Sequence, residues 1–415
     1  MECLEVSTDC SKGPHGPIGS WDISAVTDMS QLCNGAKKFA GDISKWDVSR
    51  VTDMRGMFYS ASSFNGDLSK WDVSKTNDMN HMFATASSFN GDVSKWVVSK
   101  VTDMRDMFAE ATSFNRDISK WDVSTVNNVQ GMFYSASSFN SDLSSWDASK
   151  VTDLEGIFSA ASSFNGDVSK WDVSRVTNMH GIFASASSFN GDLSQWDVSS
   201  VEDFEATFSK ASSFGGDISA WDVSRAINMK GTFLVAQLFN SDVSDWDVSR
   251  TTNLDGTFAA SSTFNSDISK WDVSKVTSMV GTFASASSFN GDLSKWDVSR
   301  VTKMSSMFAD ASSFNGDISK WDVSSVVSMK AMFAKASSFR QTLCGAWSDS
   351  TADKAGIFEG SYGRICRTSA TFSTMTSFTF SSKTTPMKSL LTTQISWTFS
   401  ADSTKRTFKL EKKII

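Results

Sequence analysis

Apolar side chains return along this chain on two interleaved rhythms, and both repeat every 25 residues. Counted from a Trp at position 1, the unit reads W-D-V-S-x-V-T-D-M-x-G-M-F-x-x-A-S-S-F-N-G-D-I-S-K. Positions 6, 9, 12, 13 and 16 are typically Val, Met, Met, Phe and Ala, as in Val51, Met54, Met57, Phe58 and Ala61. That spacing predicts a short helix. Thr or Asn at position 7 suits its N-cap, and Asp at position 8 suits its first turn. Asn-Gly at positions 20 and 21 predicts a turn. The D-I-S-K-W-D-V segment that follows has β-branched and aromatic residues in alternation, which predicts a short strand. One strand and one short helix per unit give an α/β solenoid: stacked 25-residue coils sharing a parallel sheet.

The register never slips inside the array. Trp stands at 21, 46, 71 and so on to 321, thirteen residues with every spacing equal to 25. Position 19 is Phe in all thirteen units, from Phe39 to Phe339, and position 13 is Phe in twelve, with Cys33 the exception. A single unit has too few apolar residues to bury its own face, so neighbours must complete the core. Phe64, Trp71 and Val73 are read as one rung of that core. At about 4.8 Å per coil the stack would be a rod about 60 Å long.

Composition narrows the partners. The net charge is −7, which argues against nucleic acid and anionic membranes. No apolar run is long enough for a transmembrane segment. The first twenty residues lack the basic and apolar regions of a signal peptide. A monomer is expected, and these features leave a cytoplasmic location open beside export.

FNGDISKWDVSKVTDM..MF..ASSF resembles the unit of BspA-type leucine-rich-repeat surface proteins, in the subgroup with a W-D-V-S core. The likeness covers about residues 17–345. It implies a leucine-rich-repeat-like strand–helix solenoid at a cell surface or secreted, working in adhesion or protein binding. It implies a protein or cell-surface ligand, no catalytic residue and no cofactor. By the same resemblance Cys344 and Cys366 would form a cap disulfide, whose loop of about 22 residues would contribute roughly 3 kcal/mol; free thiols are the alternative. The odd count of five Cys leaves one unpaired.

The organisation expected is an N-terminal cap at 1–20, thirteen repeats at 21–345, a C-terminal cap at 346–366 and a disordered Ser/Thr-rich tail at 367–415. Chemistry is harder to find. Asp recurs at positions 2 and 22; it is read as accepting backbone N–H bonds at turns and facing the Lys and Arg of positions 5 and 25. A calcium ladder is the competing reading, and no metal site is expected. Repeated Ser would need a base to act as a nucleophile, and the chain has only His15, His81 and His180. Two surfaces remain as binding candidates. Leu234, Val235 and Leu238 replace small polar residues and predict an apolar docking patch. Lys70, Asp72, Lys295 and Asp297, repeated along the array, predict a charged face. The function expected is non-enzymatic adhesion or protein binding; a polysaccharide-active β-helix-type enzyme or a passive spacer are the alternatives.

Overall fold

The structure, a computed structural model, describes residues 8–366. Each 25-residue unit closes one coil, and the coils stack in chain order. The coil that begins at Trp46 shows how. Its N–H groups at Met54, Gly56, Phe58 and Ser60 donate to the carbonyls of Asp78, Asn80, Met82 and Ala84 in the next coil, at 2.8–3.0 Å. Parallel bridges between successive position-8 residues continue this ladder from Asp28 to Asn128 and from Asp153 to Asp353.

The ladder runs through the segment expected to be a helix. Backbone conformation explains the difference. Position 11 and position 15 both have positive φ, +54° at Gly56 and +57° at Ser60. An α-helix cannot hold two left-handed residues four apart. The chain instead makes overlapping turns, with Met57 N–H bonded to Met54 O and Tyr59 N–H to Gly56 O. Alternate N–H groups are thereby freed for the neighbouring coil. The segment expected to be a strand differs too. Asp67 Oδ1 accepts the Ser69 amide at 2.9 Å and Asp72 Oδ1 accepts the Ser74 amide at 3.0 Å. Two successive Asp-anchored turns therefore replace the extended run. Among the described residues the regular elements are a 3-10 turn at Ile18–Ser20, strands β1 (Thr342–Leu343) and β2 (Arg364–Ile365), and helix α1 (Ala346–Asp349).

Side chains fasten coil to coil. Phe64, Trp71 and Val73 are buried. Each indole N–H among the described residues also has a partner: Trp171 Nε1 donates to Leu143 O of the preceding coil at 2.9 Å. This answers the requirement that a buried donor be satisfied. Asn at position 20 forms a second series, in which Asn165 Oδ1 accepts the Asn190 amide at 2.8 Å. Ser at position 17 forms a third, as Ser187 Oγ donates to Ser162 O at 3.3 Å. The polar residues of the unit are thus largely committed to stacking.

Equivalent rings report the spacing of the coils. It is 5.4–5.8 Å for the position-13 Phe series and 6.3–6.5 Å for the paired Trp rings. A parallel backbone ladder needs only about 4.8 Å. The coils are therefore spaced more widely at the Trp edge than a parallel ladder requires.

The ends are closed differently. Cys10 is buried and disulfide-bonded, and Ile18 covers the first coil. At the other end Cys344 and Cys366 are joined, with Cα atoms 4.9 Å apart, and β1 pairs in parallel with β2. Trp347 of α1 is buried and donates to Ile318 O at 3.2 Å, so it takes the next Trp place despite its one-residue offset. Cys33 is free and buried, and burial pushes its thiol up to about 12. The tail at 367–415 and residues 1–7 lie outside the described residues.

One rung is open. The bridge series has a gap between Asn128 and Asp153, and neither the Val129 nor the Thr152 amide has a hydrogen-bond partner among the described residues. Two undersized side chains meet there. Ala148 stands where twelve units carry Val or Ile, and Val129 stands where the others carry Met, Leu or Phe. A small apolar void of about 10 Å³ lies among Val126, Val129, Ala148 and Leu154.

Candidate binding face

The sequence-derived candidates fall on different surfaces. Lys70 and Lys295 are exposed at the Trp edge, beside Asp72 and Asp297. There Asp72 and Asp297 each accept a Ser amide at 3.0 Å, from Ser74 and Ser299. Hydrogen bonds from the Ser74 hydroxyl and amide hold the Asp72 carboxyl below the usual carboxylate range, and Lys75 adds less. Direct ion pairing is sparse on this edge: among the described residues it consists of Lys270 and Asp245 at 3.3 Å. Backbone amides, more than facing cations, therefore answer the stacked charge.

Leu234 and Val235 lie half-buried on the ladder side, and Leu238 is 57% exposed. Leu238 borders a separate hollow with Gly215, Asp217 and Asn240. Leu234 instead sits over Gly231. Their immediate neighbours are thus different.

The ladder side carries the array's diversity. Position 4 is Ser in every unit, whereas position 10 holds nine residue types in thirteen units. Positions 10, 11 and 14 also hold both Tyr residues and both His residues of the array: Tyr59, Tyr134, His81 and His180. Glu155 and Glu205 join them at position 10. A turn-and-ladder segment makes this possible. Its inward side chains at 9, 12, 13 and 16 fix the core, and its outward ones are released from packing.

Several of these side chains interact across coils. His81 Nε2 is 3.2 Å from Asp106 Oδ2. Arg55 lies 2.8 Å from Asp53 and 3.7 Å from Asp78. Burial raises the Asp78 carboxyl above its ordinary value, and burial does the same to Asp106 despite the opposing pull of His81. Burial also works against ionisation of Glu205, but hydrogen bonds from Lys230 at 2.7 Å and Asn228 at 2.9 Å leave it lowered.

At the centre of the face is an open hollow of about 370 Å³. Gly131, Gly156 and Gly181 occupy position 11 in three consecutive coils and contribute no side chains of their own, though the Asp106 carboxylate lies over Gly131. Asp106, Gln130, Tyr134, Glu155 and His180 wall it. Gln130 Nε2 donates to Glu155 Oε2 at 2.7 Å. No group of three or more metal-capable side chains occurs among the described residues. No helix among them is long and apolar enough to cross a membrane. Neither the apolar departures from the repeat nor its recurring Lys and Asp residues point to this hollow. The available signal was positional variety, together with residue types rare elsewhere in the array.

Comparison with known proteins gives a family and several distant structural likenesses. No curated protein matches the sequence. A crystal structure of a TLR13–ssRNA13 complex is similar at 11% identity and a TM-score of 0.24, over 82% of this chain and 56% of that one. The chain thus spans just over half the length of that protein. The functional domain of InlJ from Listeria monocytogenes, which includes a cysteine ladder, is similar at 12% identity and a TM-score of 0.18, over 75% of each chain. The profile of the family described as "Mycoplasma protein of unknown function, DUF285" matches residues 2–116, 91–176, 140–246 and 228–347. These segments span the whole repeat array, and the chain belongs to that family.

Proposed function

We propose that this protein is a non-enzymatic scaffold of the BspA-like kind, displayed at a cell surface, that binds proteins through its ladder face in adhesion. The observation that carries this reading is the segregation of diversity. Residues that stack the coils hardly change from unit to unit, while the outward side chains of one face do, and Tyr, His and Glu are concentrated there. Surfaces built for recognition favour such exposed aromatic and charged groups on rigid supports. The Trp-edge repeats of Lys70, Asp72, Lys295 and Asp297 serve the stack and its solubility.

Beads coated with the protein and applied to cultured cell monolayers test the reading. A ladder-face set, Tyr59→Ser, Tyr134→Ser, Glu155→Gln and His180→Gln, should abolish adhesion. An edge set, Lys70→Ser, Asp72→Asn, Lys295→Ser and Asp297→Asn, should leave it intact. Equal effects of the two sets, or adhesion no greater than that of albumin-coated beads, would refute it. Surface labelling of intact expressing cells tests the location, and failure to label would remove the surface role.

A further inference from the structure

We propose that the hollow between Asp106 and His180 is a socket for an arginine side chain presented by a partner protein. The inference rests on the ladder face being the binding face and names the chemistry it reads. The hollow's volume of about 370 Å³ falls within the range of about 300–1,000 Å³ typical of ligand pockets. Its floor is backbone and small side chains: Gly131, Gly156 and Gly181, with Ser159 and Ala184.

The walls suit a planar cation. Tyr134 is 43% exposed and offers an aromatic face. Guanidinium groups stack on such rings and pair with carboxylates through a rigid fork. Glu155 supplies the carboxylate, held from one side only. Its Oε2 accepts Gln130 Nε2 at 2.7 Å and Asn178 Nδ2 at 3.4 Å. Its Oε1 has no hydrogen-bond partner among the described residues. Asp106 adds a second negative charge, partnered by His81 at 3.2 Å. His180 is the one basic side chain among the lining residues.

The surrounding face favours the same guest. At positions 8, 10, 11 and 15 between Asp28 and Lys210 there are ten Asp and Glu residues against three Lys and Arg. Farther along the balance reverses, with Lys303, Lys330 and Lys335. A basic segment would therefore be drawn to the half of the face that contains the hollow.

The array itself supplies substitutions compatible with its fold. Ser159 occupies position 14, where Tyr134 already stands in another coil, so Ser159→Tyr fills the hollow without a foreign side chain. Glu155 occupies position 10, where Gln130 stands, so Glu155→Gln removes the charge and keeps the shape. The probe is a fluorescein-labelled peptide of alternating Ser and Arg, titrated with the full chain at low ionic strength and read by anisotropy. Its counterpart has citrulline, neutral and nearly isosteric, in place of Arg.

Saturable binding of the arginine peptide is expected, with none by the citrulline peptide. Glu155→Gln and Ser159→Tyr should each weaken binding about tenfold, while Lys70→Ser with Asp72→Asn should leave it unchanged. Circular dichroism identical to the parent confirms that the variants are folded. Equal binding of the citrulline peptide, no saturable binding, or full binding by both hollow variants would overturn the proposal. If the ladder-face set abolishes cell adhesion while the arginine peptide fails to bind, the socket is refuted and the binding face stands.

Discussion

Repairing the open rung between the coils that begin at Trp121 and Trp146 should stabilise the array. Ala148→Val restores the side chain that eleven other units carry at position 3. Val129→Met restores the commonest residue at position 9. Loose packing is local: Ala148 is 6% exposed, whereas Val173 and Val198 are each 1%. Ala148→Val adds the equivalent of two methylene groups, an upper limit of about 1.6 kcal/mol. The neighbours have already partly closed around the site, leaving only about 10 Å³. The expected gain is therefore about 1 kcal/mol, with a similar gain for Val129→Met. The double variant should also allow the two open ladder bonds to form, Val129 N–H to Asp153 O and Thr152 N–H to Asn127 O. Each would contribute about 0.5–1.5 kcal/mol.

Global unfolding of a repeat array mixes many local equilibria, so the sharper assay is amide hydrogen exchange. In the parent protein, Val129 and Thr152 should exchange faster than their ladder-bonded equivalents, Met104 and Thr177. In the double variant both should slow by at least tenfold, since about 1.4 kcal/mol corresponds to a factor of ten. Urea unfolding followed by circular dichroism should move to higher denaturant in parallel. Parent amides at 129 and 152 already as protected as those at 104 and 177 would refute the reasoning. So would a neutral or destabilising Ala148→Val.

Two further outcomes follow from the same contacts. Trp171→Phe should cost about 2 kcal/mol in urea unfolding, about half from the indole bond to Leu143 O and half from the space left by the smaller ring. The cost stays moderate because Leu143 O also accepts the Trp146 amide at 3.0 Å; a loss below about 0.5 kcal/mol would remove the indole bond from the account. Acid should weaken the stack, because hydrogen bonds from Ser69 and Ser74 hold the Asp67 and Asp72 carboxyls below their unfolded value near 4. Depressed folded values mean that this contribution is complete above about pH 4 and disappears as pH falls through the folded values. Asp78 and Asp106, raised by burial, act in the opposite sense but are outnumbered. The urea midpoint should hold steady from pH 7 to about 5 and then decline, and a midpoint unchanged at pH 2.5 would contradict this.

Why the period and the core were legible, and the coil's path was not, comes down to what side-chain spacing encodes. Phe64, Trp71 and Val73 could be assigned to the core because identical residues at identical spacing must meet when units stack. Met54, Met57, Phe58 and Ala61 have helical spacing, but spacing reports only which side chains face inward. A chain of overlapping turns with left-handed residues at Gly56 and Ser60 puts the same four inside. The sequence did carry a warning, since Gly at position 11 sits in the middle of the supposed helix. The polar residues were less legible still. Asn-Gly at positions 20 and 21 predicts a local turn, yet Asn165 bonds to a residue 25 positions away.

The same separation of roles explains why the candidate face was hard to see. Apolar departures such as Leu234 and Leu238 stand out in a polar segment, but their immediate neighbours differ. Gln130, Tyr134, Glu155 and His180 look like ordinary surface residues until the ladder brings successive coils side by side. The open rung lies beside this hollow: Asn128 and Asp153, whose bridge is missing, are each two residues from Gln130 and Glu155. The site's central pair thus spans the coil interface with two unmade ladder bonds. A guest that pairs with Glu155 and packs on Tyr134 would engage both coils at once, adding contacts across the interface where the scaffold makes fewest. Binding and local stability are coupled there, so occupancy of the hollow should itself slow exchange at Val129 and Thr152.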